Sequence, residues 1–290
     1  MIPANKTLSP GEQAAVLTEP AGIPSAGDEY TAPDGLRCCN CCHAHREMRV
    51  MLLGRERTVP VLCNCQVEER DRLEREMRLR DFQLKRERLR EEGLEDKGYY
   101  EYCFARDNNR NPQMRHAYTY VENWDRMKEE GTGLLLWGGT GTGKSFIAGC
   151  IANALIDQCV PVMMTNFAKI LNKITGTFGD ERNQIISRMN HNSLLIIDDL
   201  GIERNTDFAM EQIFNVIDSR YRSRKPMIIC TNLELSELKN PQDIDHERIY
   251  TRILEHSIPI KCNGINFREE NAKKTMEEAV KVFNDNRIQI

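Results

Sequence analysis

The chain has 290 residues, 40% hydrophobic and 29% charged, enough for one sizeable domain with an appendage and a buried core. Its formal net charge of −4 excludes a globally basic protein, so any nucleic-acid binding has to come from a local patch. No run approaches the eighteen or so apolar residues of a membrane helix. The amino end, MIPANKTLSPGEQ, lacks the basic-then-apolar order of a secretory signal, so the expectation is a cytoplasmic protein with no membrane partner.

Residues 1–36 are rich in Pro, Gly, Ala, Ser and Thr without apolar periodicity, and read as a flexible tail. Six of the eleven cysteines then fall between Cys38 and Cys65. In a chain without a signal peptide, that clustering points to metal before disulfides. CCNCCH at 38–43 offers C-x2-C in two registers, Cys38/Cys41 or Cys39/Cys42, and CNC at 63–65 adds Cys63 and Cys65. Either register supplies four thiolates for a tetrahedral zinc, with His43 and His45 as spare donors. A module spanning 37–66, about thirty residues, can hardly fold without that metal. Residues 67–98 are strong helix formers with only a thin apolar stripe at Leu73, Met77, Leu84 and Leu89. They predict an exposed, charged helical linker that ends near Gly93 and Gly98.

From residue 99 to 290, apolar runs alternate with helical patterns. GLLLW (133–137), VPVMMT (160–165), SLLIIDD (193–199), PMIICTN (226–232) and SIPIKC (257–262) read as buried strands. That order predicts an α/β domain, a parallel sheet with helices on both faces. The first strand runs into GGTGTGKS at 138–145, which matches G-x-x-x-x-G-K-[ST] and precedes the helical FIAGCIANALI. Gly138, Gly139, Thr140, Gly141, Thr142 and Gly143 would wrap phosphates with backbone N–H groups. Lys144 would add a point charge for the β- and γ-phosphates, and the Ser145 hydroxyl a magnesium ligand.

LLIIDDLG at 194–201 ends an apolar strand in two carboxylates. Asp198 is assigned to bind Mg²⁺ through water, and Asp199 to orient the water that attacks in phosphoryl transfer. PMIICTN ends in Asn232, a neutral amide able to hydrogen-bond the γ-phosphate or that water. ERIYTRILE at 247–255 sets Arg248 and Arg252 four apart, on one helix face. Taken alone, the pair reads as a solvated basic face.

In order and spacing these residues resemble the AAA+ ATPases of the DnaC/IstB group, the bacterial and phage replicative helicase loaders. The resemblance covers roughly residues 99–290 and rests on GLLLWGGTGTGKS, LLIIDDLG, DSRYRSRKPMIICTNL, ERIYTRILE and INFRE. It implies an AAA+ P-loop NTPase fold that takes ATP and Mg²⁺, and it puts Asp199 where most AAA+ proteins carry Glu. At Arg252 it implies an arginine finger acting on ATP held by the neighbouring subunit, at Arg248 a second arginine of that element, and at Arg268 in INFRE a sensor-2 arginine. A planar guanidinium delivered in trans stabilises charge developing on the γ-phosphoryl group, so self-association through the ATPase domain follows. Only about twenty residues come after Arg268, so little or no helical lid is expected.

The resemblance also favours Cys39 and Cys42, with Cys63 and Cys65, as the zinc ligands. It makes that module a grip on a hexameric replicative DNA helicase. Single-stranded DNA is a further implied partner, and KILNKITGTF at 169–178 offers Lys169, Lys173 and Phe178 to it. The same segment reads equally as an amphipathic helix with a core Phe. The implied function is ATP-dependent loading of the helicase onto single-stranded DNA. Two alternatives stand beside it: an IstB-like ATPase that helps a transposase, and an adaptor that binds ATP without hydrolysing it.

Overall fold

The computed structural model describes residues 29–177, 179–201 and 206–285. Most of the expected tail, residues 1–28, lies outside the described residues. The chain divides into two units at Asp81/Phe82, each taken by itself.

In the first unit, β1 (Glu29–Thr31) pairs antiparallel with β2 (Arg37–Cys39), and β3 (Glu47–Leu52) with β4 (Arg55–Pro60). Residues 29–31, which composition groups with the tail, are therefore a strand. Ion pairs invisible to composition hold it: Glu29 accepts from Arg46 at 2.7 Å and from Arg37 at 3.4 Å. The β3–β4 turn is Leu53–Gly54, both at positive φ (53° and 75°), the two-residue turn whose twist suits a hairpin.

The helix α1 (Asn64–Gly93) starts in this unit and ends in the next. Its Leu73, Met77 and Leu84 are exposed, as expected of a charged spacer. Pairs such as Arg78–Glu74 (3.1 Å) and Arg88–Glu92 (2.8 Å) lie at helical spacing, each contributing about 0.2–0.5 kcal/mol. The helix stops where Gly93 meets a strand edge: a Cβ there would lie 2.0 Å from the Val162 carbonyl oxygen, so no larger residue permits the approach.

In the second unit, α2 (Met114–Glu122) and α3 (Trp124–Glu130) lead into β5 (Gly133–Trp137) and α4 (Lys144–Asp157). Next come β6 (Val162–Asn166), α5 (Phe167–Ile174), α6 (Asp180–His191), β7 (Leu194–Leu200), α7 (Asp207–Arg222) and β8 (Met227–Thr231). The described chain closes with α8 (Leu235–Lys239), α9 (Ile244–His256), β9 (Ser257–Lys261) and α10 (Phe267–Asp285). The five strands form one parallel sheet in the order β6-β7-β8-β5-β9. This is the parallel sheet expected from the apolar runs, and among the described residues a single helix follows it.

The runs are continuous because both faces of the sheet are covered, so neither side of a strand meets water. Leu134 and Leu136 of β5 join Ile151 and Leu155 of α4, while Leu135 and Trp137 join Ile213, Ile217 and Ile253 from α7 and α9. Arg220 ties together the amino ends of β7 and β8. It is fully buried and donates only to main-chain carbonyls: Asn192 (2.9 Å), Ser193 (2.7 Å) and Pro226 (2.7 Å). Burial lowers its pKa to about 10, which still leaves it charged at neutral pH.

Candidate functional site

β5 lies between β8 and β9, with β7 beyond β8, so the carboxyl ends of β5, β7 and β8 converge on one edge. From Trp137 the chain turns through Gly138–Gly143 into α4. Gly138, Gly141 and Gly143 sit at φ 128°, 79° and 91°, a region that side chains rarely enter. At Gly141 a Cβ would also lie 1.9 Å from the Asn266 side-chain oxygen. The loop is thus pinned in a shape that brings its amides to the start of α4, where a helix terminus attracts anions. Thr142 Oγ1 donates to the Gly139 carbonyl at 2.8 Å, which braces the turn internally.

Lys144 is only 5% exposed. Its ammonium donates to the Gly138 and Gly139 carbonyls, each at 2.8 Å, and to Asn232 Oδ1 at 2.7 Å. One cation therefore joins the loop to the end of β8. Burial lowers its pKa, and the nearby thiols and Asp198 and Asp199 push it back up.

Asp198 is buried at the end of β7. Burial raises its pKa above the ordinary Asp range, against hydrogen bonds from the Ser145 hydroxyl and the Cys230 thiol. A hydroxyl and a carboxylate in contact at the head of the loop are a donor set that fits magnesium. Asp199 is placed by a bulge. Between the pairs Ile197–Ile229 and Leu200–Thr231, β7 has one more residue than β8, and Asp199 sits there at φ 58°. Asp is among the few non-glycine types that tolerate this conformation. The kink aims Asp199 into a cleft of about 350 Å³, which it lines with Thr140, Lys144, Ser145 and Asn232.

Apart from Arg268, the opposite wall was not foreseen. It is built by Arg106–Asn111, upstream of the sheet, and by Phe267, Arg268, Asn271 and Lys274 of α10. The upstream segment, RDNNRNP, is held by side-chain turns: Asp107 accepts from Asn109 N (3.1 Å), and Asn108 from Arg110 N (3.2 Å). Asn111 reaches the Thr142 carbonyl at 3.3 Å. Arg110 pairs with Glu270 at 2.7 Å and lies 5.8 Å from the Phe267 ring centre. The Phe267 N–H donates to the Gly141 carbonyl at 2.9 Å, which fixes the start of α10 to the loop and sets Arg268 in the cleft. Arg248 and Arg252 do not line it. Both stack on Phe214, where α9 meets α7.

In the first unit, the Sγ atoms of Cys39, Cys42, Cys63 and Cys65 lie within 4.8 Å of one another. The pairs Cys39–Cys65 (3.4 Å), Cys63–Cys65 (3.3 Å) and Cys42–Cys65 (3.6 Å) approach the roughly 3.8 Å that a tetrahedron with Zn–S near 2.3 Å requires. The four residues therefore fit one zinc ion. Cys38 stays outside, with its Sγ on His45 Nδ1 at 3.2 Å, while Cys41 is exposed and His43 packs against Tyr30. Backbone N–H groups of Cys65 and Ala44 pull Cys42 down to about 6, towards the thiolate a metal needs. Arg46 Nη2 approaches Cys39 Sγ at 3.8 Å and adds positive charge beside the cluster.

The lysines considered for single-stranded DNA are engaged elsewhere. Lys169 pairs with Asp96 at 2.6 Å and Lys173 with Glu95, so α5 does not present them as free charges. Phe178 lies outside the described residues. No helix among the described residues is long and apolar enough to cross a membrane.

Against known proteins, the family model described as IstB-like ATP binding protein matches residues 60–275. The phage-like element PBSX protein XkdC of Bacillus subtilis is 28% identical over 149 residues, 49% of this chain and 56% of that protein. The replicative helicase loader DnaI of the same organism is 23% identical over 173 residues, 56% of this chain and 55% of DnaI. The chain thus spans little more than half the length of these curated relatives. A crystal structure of DnaI superimposes with a TM-score of 0.51 at 19% identity, over 61% of this chain and 99% of that one, a likeness of fold.

Proposed function

The chain belongs to the IstB-like ATP binding proteins, and from that premise we propose that it is an ATP-dependent loader of a hexameric replicative DNA helicase onto single-stranded DNA. The observation that carries this reading is the pairing, in one chain, of a phosphate cleft with a separate four-thiol module. The name of its relative DnaI, a replicative helicase loader, supports the choice of partner.

In this reading the loop amides and Lys144 hold the ATP phosphates. Ser145 and Asp198 would hold magnesium, which supplies charge neutralisation at the phosphates. Asp199, turned into the cleft by its bulge, orients the attacking water, and Asn232 senses the γ-phosphate beside Lys144. Arg268 acts on the nucleotide of its own subunit, whereas Arg248 and Arg252, outside that cleft, serve a neighbour's. ATP binding thereby assembles copies of the chain in the cytoplasm of a bacterial or phage-infected cell. The zinc module, borne on α1, holds the helicase, and hydrolysis resets the complex.

The ATPase part is tested with two variants, in the presence of single-stranded DNA and helicase. Lys144→Ala is expected to lose ATP binding. Asp199→Asn is expected to bind ATP normally and to hydrolyse it about 10²–10⁴-fold more slowly, the usual contribution of a general base. Fluorescent-nucleotide titration and phosphate release read the two steps apart. Wild-type turnover in Asp199→Asn would show that its role is misassigned. A wild-type chain that binds ATP without turnover would instead be the non-hydrolysing adaptor.

A further inference from the structure

Arg252 is held with unusual care for a residue outside its own cleft. Its Nε donates to Asp218 Oδ1 at 2.9 Å, and its Nη1 to the Arg248 carbonyl at 2.7 Å. Its guanidinium carbon lies 4.8 Å from the Phe214 ring centre and 5.6 Å from that of Tyr221. Asp218 is itself fixed, because its second oxygen accepts from Arg222 Nε at 2.7 Å. Side-chain exposure is 25% for Arg252 and 15% for Asp218, so neither is an ordinary surface group.

A surface arginine–carboxylate pair usually contributes little, since two flexible side chains must be ordered for a screened attraction. Here the arrangement differs in what it leaves over. A guanidinium has five N–H donors, and the two contacts use one on Nε and one on Nη1. Both N–H groups of Nη2 and one of Nη1 have no partner in these contacts. The Nη end of the group is thus left as an open edge, while Asp218 holds Nε and the rings of Phe214 and Tyr221 pack against the plane. That edge suits a phosphate, which planar forks bind through paired hydrogen bonds.

We propose that Asp218, assisted by the Phe214 ring, is the positioning residue that presents Arg252 to the nucleotide of a neighbouring copy. The inference rests on the reading of Arg252 as the group that completes a neighbour's site. Asp218 touches neither nucleotide nor magnesium; it sets the rotamer and the free edge of the arginine that does. Because rate falls steeply when a reacting group is misplaced, losing this hold costs turnover rather than ATP affinity.

The test uses the full chain with single-stranded DNA and helicase, and steady-state ATP turnover. Asp218→Ala is expected to lower kcat about a hundredfold, the scale for a displacement of about 1 Å, with KM for ATP unchanged. Asp218→Asn, whose amide oxygen can still accept from Nε, is expected to regain most of that loss. Mixing Asp218→Ala with Lys144→Ala subunits, which carry an intact Asp218–Arg252 pair, is expected to restore part of the activity. A general folding defect would not be relieved by mixing. Wild-type or raised kcat in Asp218→Ala overturns the inference, as does a loss confined to KM or one that mixing leaves unchanged. Arg252→Ala is run alongside. If it is inactive while Asp218→Ala is fully active, positioning alone fails; if Arg252→Ala keeps full turnover, the trans-acting arginine fails and the inference falls with it.

Discussion

Arg252→Ala is expected to bind ATP with near wild-type affinity and to hydrolyse it about 10³–10⁵-fold more slowly, the usual contribution of an arginine finger. The two halves of this expectation have separate grounds. Affinity should survive because Arg252 does not line the cleft of its own subunit; its partners are Asp218, the Arg248 carbonyl and two aromatic rings. Turnover should fall because a guanidinium stabilises charge that develops only on the way to the transition state. Mixing with Lys144→Ala decides where the arginine acts. One subunit then has an intact cleft and the other an intact arginine, so mixed assemblies should regain part of the lost rate. No recovery at any ratio would make ERIYTRILE an amphipathic helix packed on α7 and nothing more.

Removing zinc from the reduced protein is expected to unfold the four-thiol module and to leave ATP binding intact. The module has little else to hold it. Its two sheets have two strands each, and Met51, Leu52 and Leu53 at the hairpin end are exposed. Two-stranded ribbons are marginal in water, whereas structural zinc contributes an apparent ~10–16 kcal/mol at neutral pH. Elemental analysis should find about one zinc per chain, as four thiolates around one ion imply. After chelation, hydrogen exchange should lose protection in β1–β4, while the amides of β5, β7 and β8 remain protected. A reduced, metal-free chain with β1–β4 still protected would contradict the assignment.

Much of this was legible in the sequence for a physical reason. A parallel strand covered on both faces must be apolar throughout, and all five runs became strands with boundaries within two residues of those expected. The phosphate loop was legible because its glycines answer a local backbone demand. Other features depend on contacts distant in sequence, and no local pattern reports them. The tandem Asp198–Asp199 could be read, but not the bulge that turns Asp199 to the cleft. RDNNRNP has no local pattern that says it would line the cleft beside Phe267. The charges of Lys169 and Lys173 were visible; their neutralisation by Asp96 and Glu95, more than seventy residues earlier, was not. In the cysteine cluster the motif alone left the register open, and only the resemblance favoured Cys39 and Cys42. The C-x2-C motif reads equally well in both registers, and three-dimensional proximity brings Cys39 and Cys42, not Cys38 and Cys41, to Cys63 and Cys65.

Loading itself is the most direct measurement of the proposed function. A purified hexameric replicative helicase is supplied with closed circular single-stranded DNA that carries an annealed, labelled oligonucleotide and is coated with single-strand binding protein. A closed circle offers no end to thread, so displacement of the label requires the helicase ring to be placed on the strand. With this chain and ATP, displacement should rise well above the level of helicase alone, and Lys144→Ala should remain at that level. Equal displacement with and without the chain, or full stimulation by Lys144→Ala, would contradict ATP-dependent helicase loading.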